Sequence, residues 1–280
     1  DFIRQAITTH LDGLSMYPTT LGAPALRNSI AIWLGRRFKG VEINPETEVI
    51  PVNGSREALF SFAQAMIDSS VRDPVVVCPN PFYQIYEGAA LLAGASPHFI
   101  NTFPDNQFKL DYAQLPDSVW ARVQLMYVCS PNNPTGSVMT LSDWQELFAL
   151  SDRHGFIVAS DECYSEIYSD EDNPPLGALD AAHQLGRTGF PRLVVFNSLS
   201  KRSNAPGLRS GFVAGDARLL EKFLLYRTYH GSAMSPVAQA ASTAAWNDEA
   251  HVVENRRLYA EKFSQAIDVL SDVTAVQMPD

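Results

Sequence analysis

Ser198-Leu199-Ser200-Lys201-Arg202-Ser203-Asn204-Ala205-Pro206-Gly207-Leu208-Arg209 follows the apolar run Leu193-Val194-Val195-Phe196. A short apolar run bounded by polar residues reads as a buried strand, and strands buried on both faces belong to mainly parallel sheets. Lys201 then lies on the polar loop that leaves the sheet edge, where open α/β proteins keep their ligands. A lysine flanked by hydroxyls, with Arg209 a short way on, suits an amine that attacks a carbonyl beside a cation that holds an anion. Solvated loops also carry such strings, so the meaning of this one depends on partners elsewhere in the chain.

Outward from that stretch the pattern alternates. Strand-like runs at Val49–Val52, Val75–Cys78, Pro97–Ile100, Val123–Cys129, Phe156–Ser160 and Gly211–Ala214 are mostly interleaved with helix-period segments at Glu57–Ile67, Tyr83–Leu92, Leu141–His154 and Ala217–Tyr229. Such alternation predicts an α/β fold, a mainly parallel sheet sandwiched by helices. Upstream, Phe2–Leu14 reads as a short amphipathic helix. Pro24 opens another, with Leu26, Ile30, Leu34 and Phe38 on one face and Gly40 at its end. Beyond Ser235 the chain reads as helix, first Pro236–Trp246 and then a long segment from about Glu249 to Leu270.

Composition narrows the class. The 280 residues suffice for a large core. A net charge of −10 without a dense basic cluster argues against a nucleic-acid partner. No stretch approaches the ~20 apolar residues of a bilayer span, so no membrane partner is expected and the cytoplasm is the expected location. Cys78, Cys129 and Cys163 are odd in number and lie in or beside apolar runs, which predicts free, buried thiols in a reducing compartment. The six histidines show no metal-ligand spacing, and no metal is expected.

Polar clusters follow four other strands. Asn53-Gly54-Ser55-Arg56-Glu57 is a small-residue turn into a helix, whose amides and dipole suit a phosphate; plain capping by Asn53 or Ser55 is the alternative. Pro79-Asn80-Pro81-Phe82-Tyr83 brings an aromatic face, which is also ordinary core chemistry. Ser130-Pro131-Asn132-Asn133-Pro134-Thr135-Gly136 is a proline-rich turn that restricts Asn133. Asp161-Glu162-Cys163-Tyr164 begins with a carboxylate closing an apolar strand, which needs a cation or hydrogen-bond donors.

A phosphate cradle, a stacking ring, an amide, a carboxylate, a phenol and a lysine together fit pyridoxal 5′-phosphate. Lys201 would form the Schiff base and shuttle a proton, and Asp161 would keep the pyridine nitrogen protonated. Asn133 and Tyr164 would donate to the ring oxygen, and Tyr83 would stack on the ring. Gly54, Ser55, Arg56, Ser198, Ser200 and Arg209 would hold the phosphate.

The ordered set Tyr17-Pro18 with Gly22 and Leu26-Arg27, Asn133-Pro134-Thr135-Gly136, Asp161-x-x-Tyr164, and Ser198-x-Ser200-Lys201 with Arg209 resembles the class I/II aminotransferases, with the type I fold of pyridoxal-phosphate enzymes. The resemblance implies a transaminase acting on amino acids and 2-oxo acids. Lys201 is then the Schiff-base lysine and Asp161 the pyridine partner. Tyr17 is a phosphate contact reaching into a neighbouring subunit, hence a homodimer with shared active sites. The wording of Pro51–Phe60, Cys78–Gly88 and Ser200–Gly211 is similar to succinyldiaminopimelate aminotransferases of lysine biosynthesis. The implied division is an N-terminal segment at 1–15, a large cofactor-binding domain at 16–250, and at 251–280 an interdomain helix with the start of a truncated small domain. A strand such as Val276–Pro279 would enter that domain, and the arginine for the substrate α-carboxylate would lie beyond Asp280.

Other readings remain open at this point. They are an aspartate, aromatic or alanine aminotransferase, a pyridoxal-phosphate β-lyase, and a non-enzymatic sensor on the same fold. Ser198-x-x-Lys201 also matches a serine–lysine hydrolase pair, but the nearest Lys-Thr-Gly-like string, Arg187-Thr188-Gly189, precedes it instead of following.

Overall fold

The computed structural model describes residues 1–274. The elements are α1 (Phe2–Thr9), α2 (Pro24–Arg37), β1 (Val49–Val52), α3 (Ser55–Met66), β2 (Val75–Asn80), α4 (Ile85–Leu92), β3 (Ser96–Asn101), α5 (Asp117–Trp120) and β4 (Val123–Cys129). They continue with α6 (Leu141–His154), β5 (Ile157–Asp161), α7 (Ala178–Gln184), β6 (Leu193–Ser198), α8 (Leu199–Arg202), β7 (Gly211–Gly215), α9 (Ala217–His230), α10 (Pro236–Asn247) and α11 (Ala250–Leu270). Among the described residues no helix is long and apolar enough to cross a membrane. The strand expected at Val276–Pro279 lies outside the described residues.

Among the described residues, seven strands form one sheet in the order β1-β7-β6-β5-β4-β2-β3, parallel except for β7, which runs antiparallel to both neighbours. The exception has a local cause. Parallel neighbours need a crossover of a dozen or more residues, usually a helix lying on one face. Between β6 (ending at Ser198) and β7 (starting at Gly211) the chain makes only the single turn of α8 and a short 3-10 turn, too little helix to travel back along a face of the sheet, so it comes back antiparallel. Gly211 permits the close return, because a Cβ there would run into the Asn197 carbonyl.

Alternate residues of each strand enter opposite cores, as the pleat requires. Val75, Val77, Met126, Val128, Val158, Leu193 and Val195 pack with Leu26, Ile30, Trp33, Trp144, Leu147, Leu179 and Trp246, from α2, α6, α7 and α10. Val76, Cys78, Leu125, Tyr127, Ala159, Val194 and Phe196 pack with Leu59, Phe62, Tyr86, Ala89 and Phe223, from α3, α4 and α9. The helical sandwich read from the alternation is therefore present. Three of the described helices were not anticipated: α5, a single turn before β4, α7, hidden in the short alanine-rich run before β6, and α8, which makes the expected loop around Lys201 a one-turn helix. Its four residues are too few for a period to show.

Phe62 is fully buried and edge-on to Phe196 and Phe223, with ring centroids 5.5 and 5.3 Å away. Phe62→Ala is expected to destabilise the fold by about 3–5 kcal/mol through lost transfer energy and an unfilled cavity. Urea unfolding followed by circular dichroism measures this; a loss below about 1 kcal/mol would contradict the two-core description.

Candidate active site

The carboxyl ends of β1, β4, β5 and β6 lie side by side, because Cys129 pairs with Asp161, Asp161 with Phe196, and Ser198 with Gly211, which in turn pairs with Val52. The polar clusters that follow these strands, joined by the one after β2, enclose a cavity of about 620 Å³. Its size lies in the usual range of ligand pockets, ~300–1,000 Å³. Ser55, Arg56, Tyr83, Asn133, Asp161, Tyr164, Ser198, Ser200, Lys201 and Arg209 all line it. Five stretches far apart in sequence thus meet at one place.

One wall is built for an anion. Helix α3 starts at Gly54, whose φ of +85° favours glycine. The Arg209 guanidinium occupies the place a Cβ at Gly54 would take. It is aimed there by hydrogen bonds from Nη2 to the Asn53 carbonyl at 3.2 Å and from Nη1 to the Pro206 carbonyl at 2.9 Å. No side chain caps α3, so capping by Asn53 or Ser55 is not the use of this turn. The first-turn amides and the positive end of the helix dipole remain for a ligand. Glu57 fixes the turn from behind, accepting from the Asn53 amide at 3.2 Å and from buried Arg227 at 2.6 Å.

The opposite character appears at Asp161, which is 5% exposed at the end of β5. Its Oδ2 accepts from the Tyr86 hydroxyl at 2.8 Å and its Oδ1 from the Cys163 amide at 3.2 Å. Among the described residues it has no ion-pair partner. Burial pushes its pKa up, and the two hydrogen bonds pull it back in part. The site therefore offers a buried acceptor to a cationic donor.

Tyr86, Cys163 and Pro206 line the cavity without having been anticipated. Tyr86 stacks on Tyr127 at 4.7 Å and carries the hydrogen bond to Asp161. In sequence it is one more aromatic on the buried side of a helix, and only its tertiary neighbours give the hydroxyl a task. Burial raises its phenol well above the ordinary value, so it stays a donor. Burial likewise pushes Tyr164 up to about 12, so this phenol also keeps its proton near neutrality. The Lys201 Nζ lies 5.6 Å from the centre of the Tyr164 ring. The Cys163 thiol donates to Ser55 Oγ at 2.9 Å, and burial raises its pKa, which leaves it a packing group and not a thiolate. All three cysteines are free and buried, as expected from their setting.

Two predicted site residues are not among those lining the cavity: Gly54, which sits behind the wall against Arg209, and Tyr17, which the single chain places elsewhere. Tyr17 is fully exposed and borders a separate groove with Met16, Pro18, Pro236 and Gln239.

The donor set suits pyridoxal phosphate on three independent counts. These are a glycine-opened helix start backed by an arginine, a buried carboxylate awaiting a cation, and a lysine in the same cavity.

A sequence model described as aminotransferase class I and II matches residues 3–279. A curated LL-diaminopimelate aminotransferase of Desulforudis audaxviator is 32% identical over 259 residues, covering 92% of this chain and 63% of its own length. The chain thus spans a little under two thirds of that relative. Among solved structures, an aminotransferase of Neisseria meningitidis is 56% identical with a TM-score of 0.95, over 99% of this chain and 70% of that one. Aminotransferase AspB of Helicobacter pylori is 39% identical with a TM-score of 0.91, over 100% of this chain and 72% of that one.

Glu162, beside Asp161, is buried, and its pKa is pushed up to about 7, first by that burial, against hydrogen bonds from the Ala178 amide and Ser160 hydroxyl. A folded-state value above the unfolded 4.5 means that its contribution to stability is full below pH 4.5 and is lost as the pH rises through about 7. Glu162→Gln keeps an acceptor for both donors and removes the titration. Relative to wild type, the variant is expected to gain on the order of 1–3 kcal/mol of stability between pH 5 and pH 8. Unfolding curves at the two pH values check this, and parallel pH dependences would refute it.

Proposed function

The chain belongs to the class I and II aminotransferase family, whose members use pyridoxal phosphate, and from that premise we propose that it forms the cofactor-binding part of an aminotransferase acting on a diaminopimelate-type amino acid. The observation that carries the cofactor reading is the meeting of Asp161, Lys201 and the uncapped start of α3 in one cavity. The substrate reading is supported by the names of relatives such as the Desulforudis protein. Those names favour the diaminopimelate skeleton and do not bear on a succinyl group, so the N-succinylated substrate with 2-oxoglutarate is the narrower form of the proposal. A reducing, cytoplasmic setting goes with three free, buried thiols.

When bound, the cofactor supplies an aldehyde for the amine and a protonated ring that draws electrons from the substrate carbon losing its proton. The protein supplies attachment, orientation and proton movement. Lys201 Nζ is the attaching amine and, once displaced, the base that removes a proton from that carbon and returns it. Asp161, with Oδ2 held by the Tyr86 hydroxyl and Oδ1 by the Cys163 amide, would offer its carboxylate to the ring nitrogen. A cation there reverses the cost of burying that charge. Asn133 and Tyr164 would donate to the ring oxygen, and Tyr83 would stack on the ring. The amides of Gly54, Ser55 and Arg56, with Ser198, Ser200 and Arg209, hold the phosphate.

Tyr17 enters this scheme from a second copy of the chain. The proposal is a homodimer in which the exposed stretch with Leu11, Leu14, Met16 and Tyr17 is buried against the partner. Helix α11 is then the interdomain helix, carrying the chain toward a smaller domain.

Lys201→Ala is expected to abolish the visible absorbance that pyridoxal phosphate acquires on binding, and to slow the amino-donor half-reaction by roughly 10²–10⁴-fold. Asp161→Ala should retain bound cofactor yet lose most of that rate. An unchanged spectrum in the first variant would identify the wrong lysine. Initial rates with LL-diaminopimelate, its N-succinyl derivative, aspartate and phenylalanine test the substrate, and a preference for either of the last two overturns the diaminopimelate reading.

A further inference from the structure

The turn that carries Lys201 is gripped from behind by the corner where α10 meets α11. Three consecutive residues are held. The Lys201 carbonyl accepts from Asn255 Nδ2 at 3.0 Å, and the same amide reaches the Arg202 carbonyl at 3.4 Å. The buried Arg202 guanidinium lies 5.3 Å from the Trp33 ring and 4.7 Å from the Trp246 ring. It donates to the Ala245 carbonyl and to Glu249, both at 2.9 Å. Ser203 Oγ lies 2.8 Å from His251 Nε2, whose Nδ1 is 2.6 Å from Asp248 Oδ1. None of these holding groups borders the cavity.

The corner is itself fastened to the rest of the fold. Arg256, next to Asn255, is stacked 4.5 Å over the Tyr168 ring, bonds Glu171 at 2.7 and 2.9 Å, and lies 3.3 Å from buried Glu166. Glu166 in turn accepts from Arg37 at 2.7 Å. Helix α11 is thus tied to α2 and to the segment after β5, and gives the Lys201 turn a fixed reference.

A lysine side chain has four rotatable bonds, and ordering it costs on the order of 1.5–2 kcal/mol. Its tip is placed only as well as its backbone is. Helix α8 has four residues, and its backbone partners are few: the Leu199 carbonyl accepts from the Ser203 amide at 3.1 Å, while the Lys201 carbonyl takes only a long bond from the Asn204 amide at 3.4 Å. A side-chain amide is suited to that gap, since a neutral N–H₂ can serve two successive carbonyls without bringing a charge into a buried place. We propose that Asn255 is a positioning residue for Lys201: it holds the backbone of the α8 turn so that Nζ meets the carbonyl carbon of the cofactor. The inference rests on the cofactor reading above.

The test uses the chain as it is, incubated with pyridoxal phosphate and quenched at intervals with borohydride. The amine nitrogen bonds to the aldehyde carbon, water leaves, and hydride saturates the C=N bond, so peptide mass spectrometry counts modified Lys201. Visible circular dichroism of the bound cofactor reports its orientation separately. Asn255→Leu keeps the volume and removes both donors; Asn255→Ser, too short to span both carbonyls, replaces it should the first fail to fold. Modification is expected to slow at least ~10-fold, since an ångström of misplacement can cost ~10²-fold, and the circular dichroism per bound cofactor should fall. Glu171→Gln, which loosens α11 without touching the turn, should lower the melting temperature and leave both readouts unchanged. Wild-type rate and dichroism in the folded Asn255 variants, or an equal loss in Glu171→Gln, would overturn the positioning role. If the wild-type chain never becomes modified at Lys201, the cofactor reading itself falls and takes this inference with it.

Discussion

A carboxylate sunk at the end of the central strand sets the terms for everything around it. Asp161 closes β5, the middle strand of the seven, and its oxygens take one phenolic and one amide hydrogen. Burying a charge without a counter-ion is costly, and proteins normally avoid it by pairing the group or by letting it take a proton. Here the fold holds the group in place with two donors and leaves it facing a cavity. That arrangement makes sense when the missing positive charge arrives with a ligand, and a protonated pyridine nitrogen is such a charge.

The rest of the site follows from having an anionic wall and a cationic wall in one cavity. Arg209 and the uncapped start of α3 form the cationic side; Asp161 forms the other. A ligand with a phosphate at one end and a cationic nitrogen elsewhere is oriented by these two fields before any covalent bond is made. A chain of net charge −10 repels free anions at long range, so the affinity of the phosphate side depends on short-range amide and guanidinium contacts. Tyr86 and Tyr164, kept protonated by burial, are donors of fixed sense: the first is committed to Asp161, and the second is left facing the cavity.

Rigidity comes from elements that never meet the ligand. The Lys201 turn is one helical turn long and has little internal structure, so its shape is borrowed from the α10–α11 corner through Asn255, Arg202 and His251. Buried ion pairs such as Arg37–Glu166 and Arg256–Glu166 contribute little net stability against their desolvation cost. Once formed they admit few alternative arrangements, which suits a frame that must hold a reactive amine in one place.

Much of this was legible in the order of residues. The apolar runs located every strand to within two residues, because a strand buried on both faces must be apolar nearly throughout. The polar strings after β1, β2, β4, β5 and β6 named ten of the residues that line the cavity, because parallel topology delivers all such exits to one edge. Helices α5, α7 and α8 escaped notice because four, seven and four residues carry too little periodicity. The reversal of β7 escaped notice because direction depends on the length of the connection and leaves no mark on apolar pattern. The alphabet of side chains and their local periods thus determined the layers, the edge and the chemistry on offer. Only the packed chain decided that Tyr86 serves Asp161, that Arg209 stands behind Gly54 and that Asn255 holds Lys201, since these partners are 75, 155 and 54 positions apart and meet through tertiary contact alone.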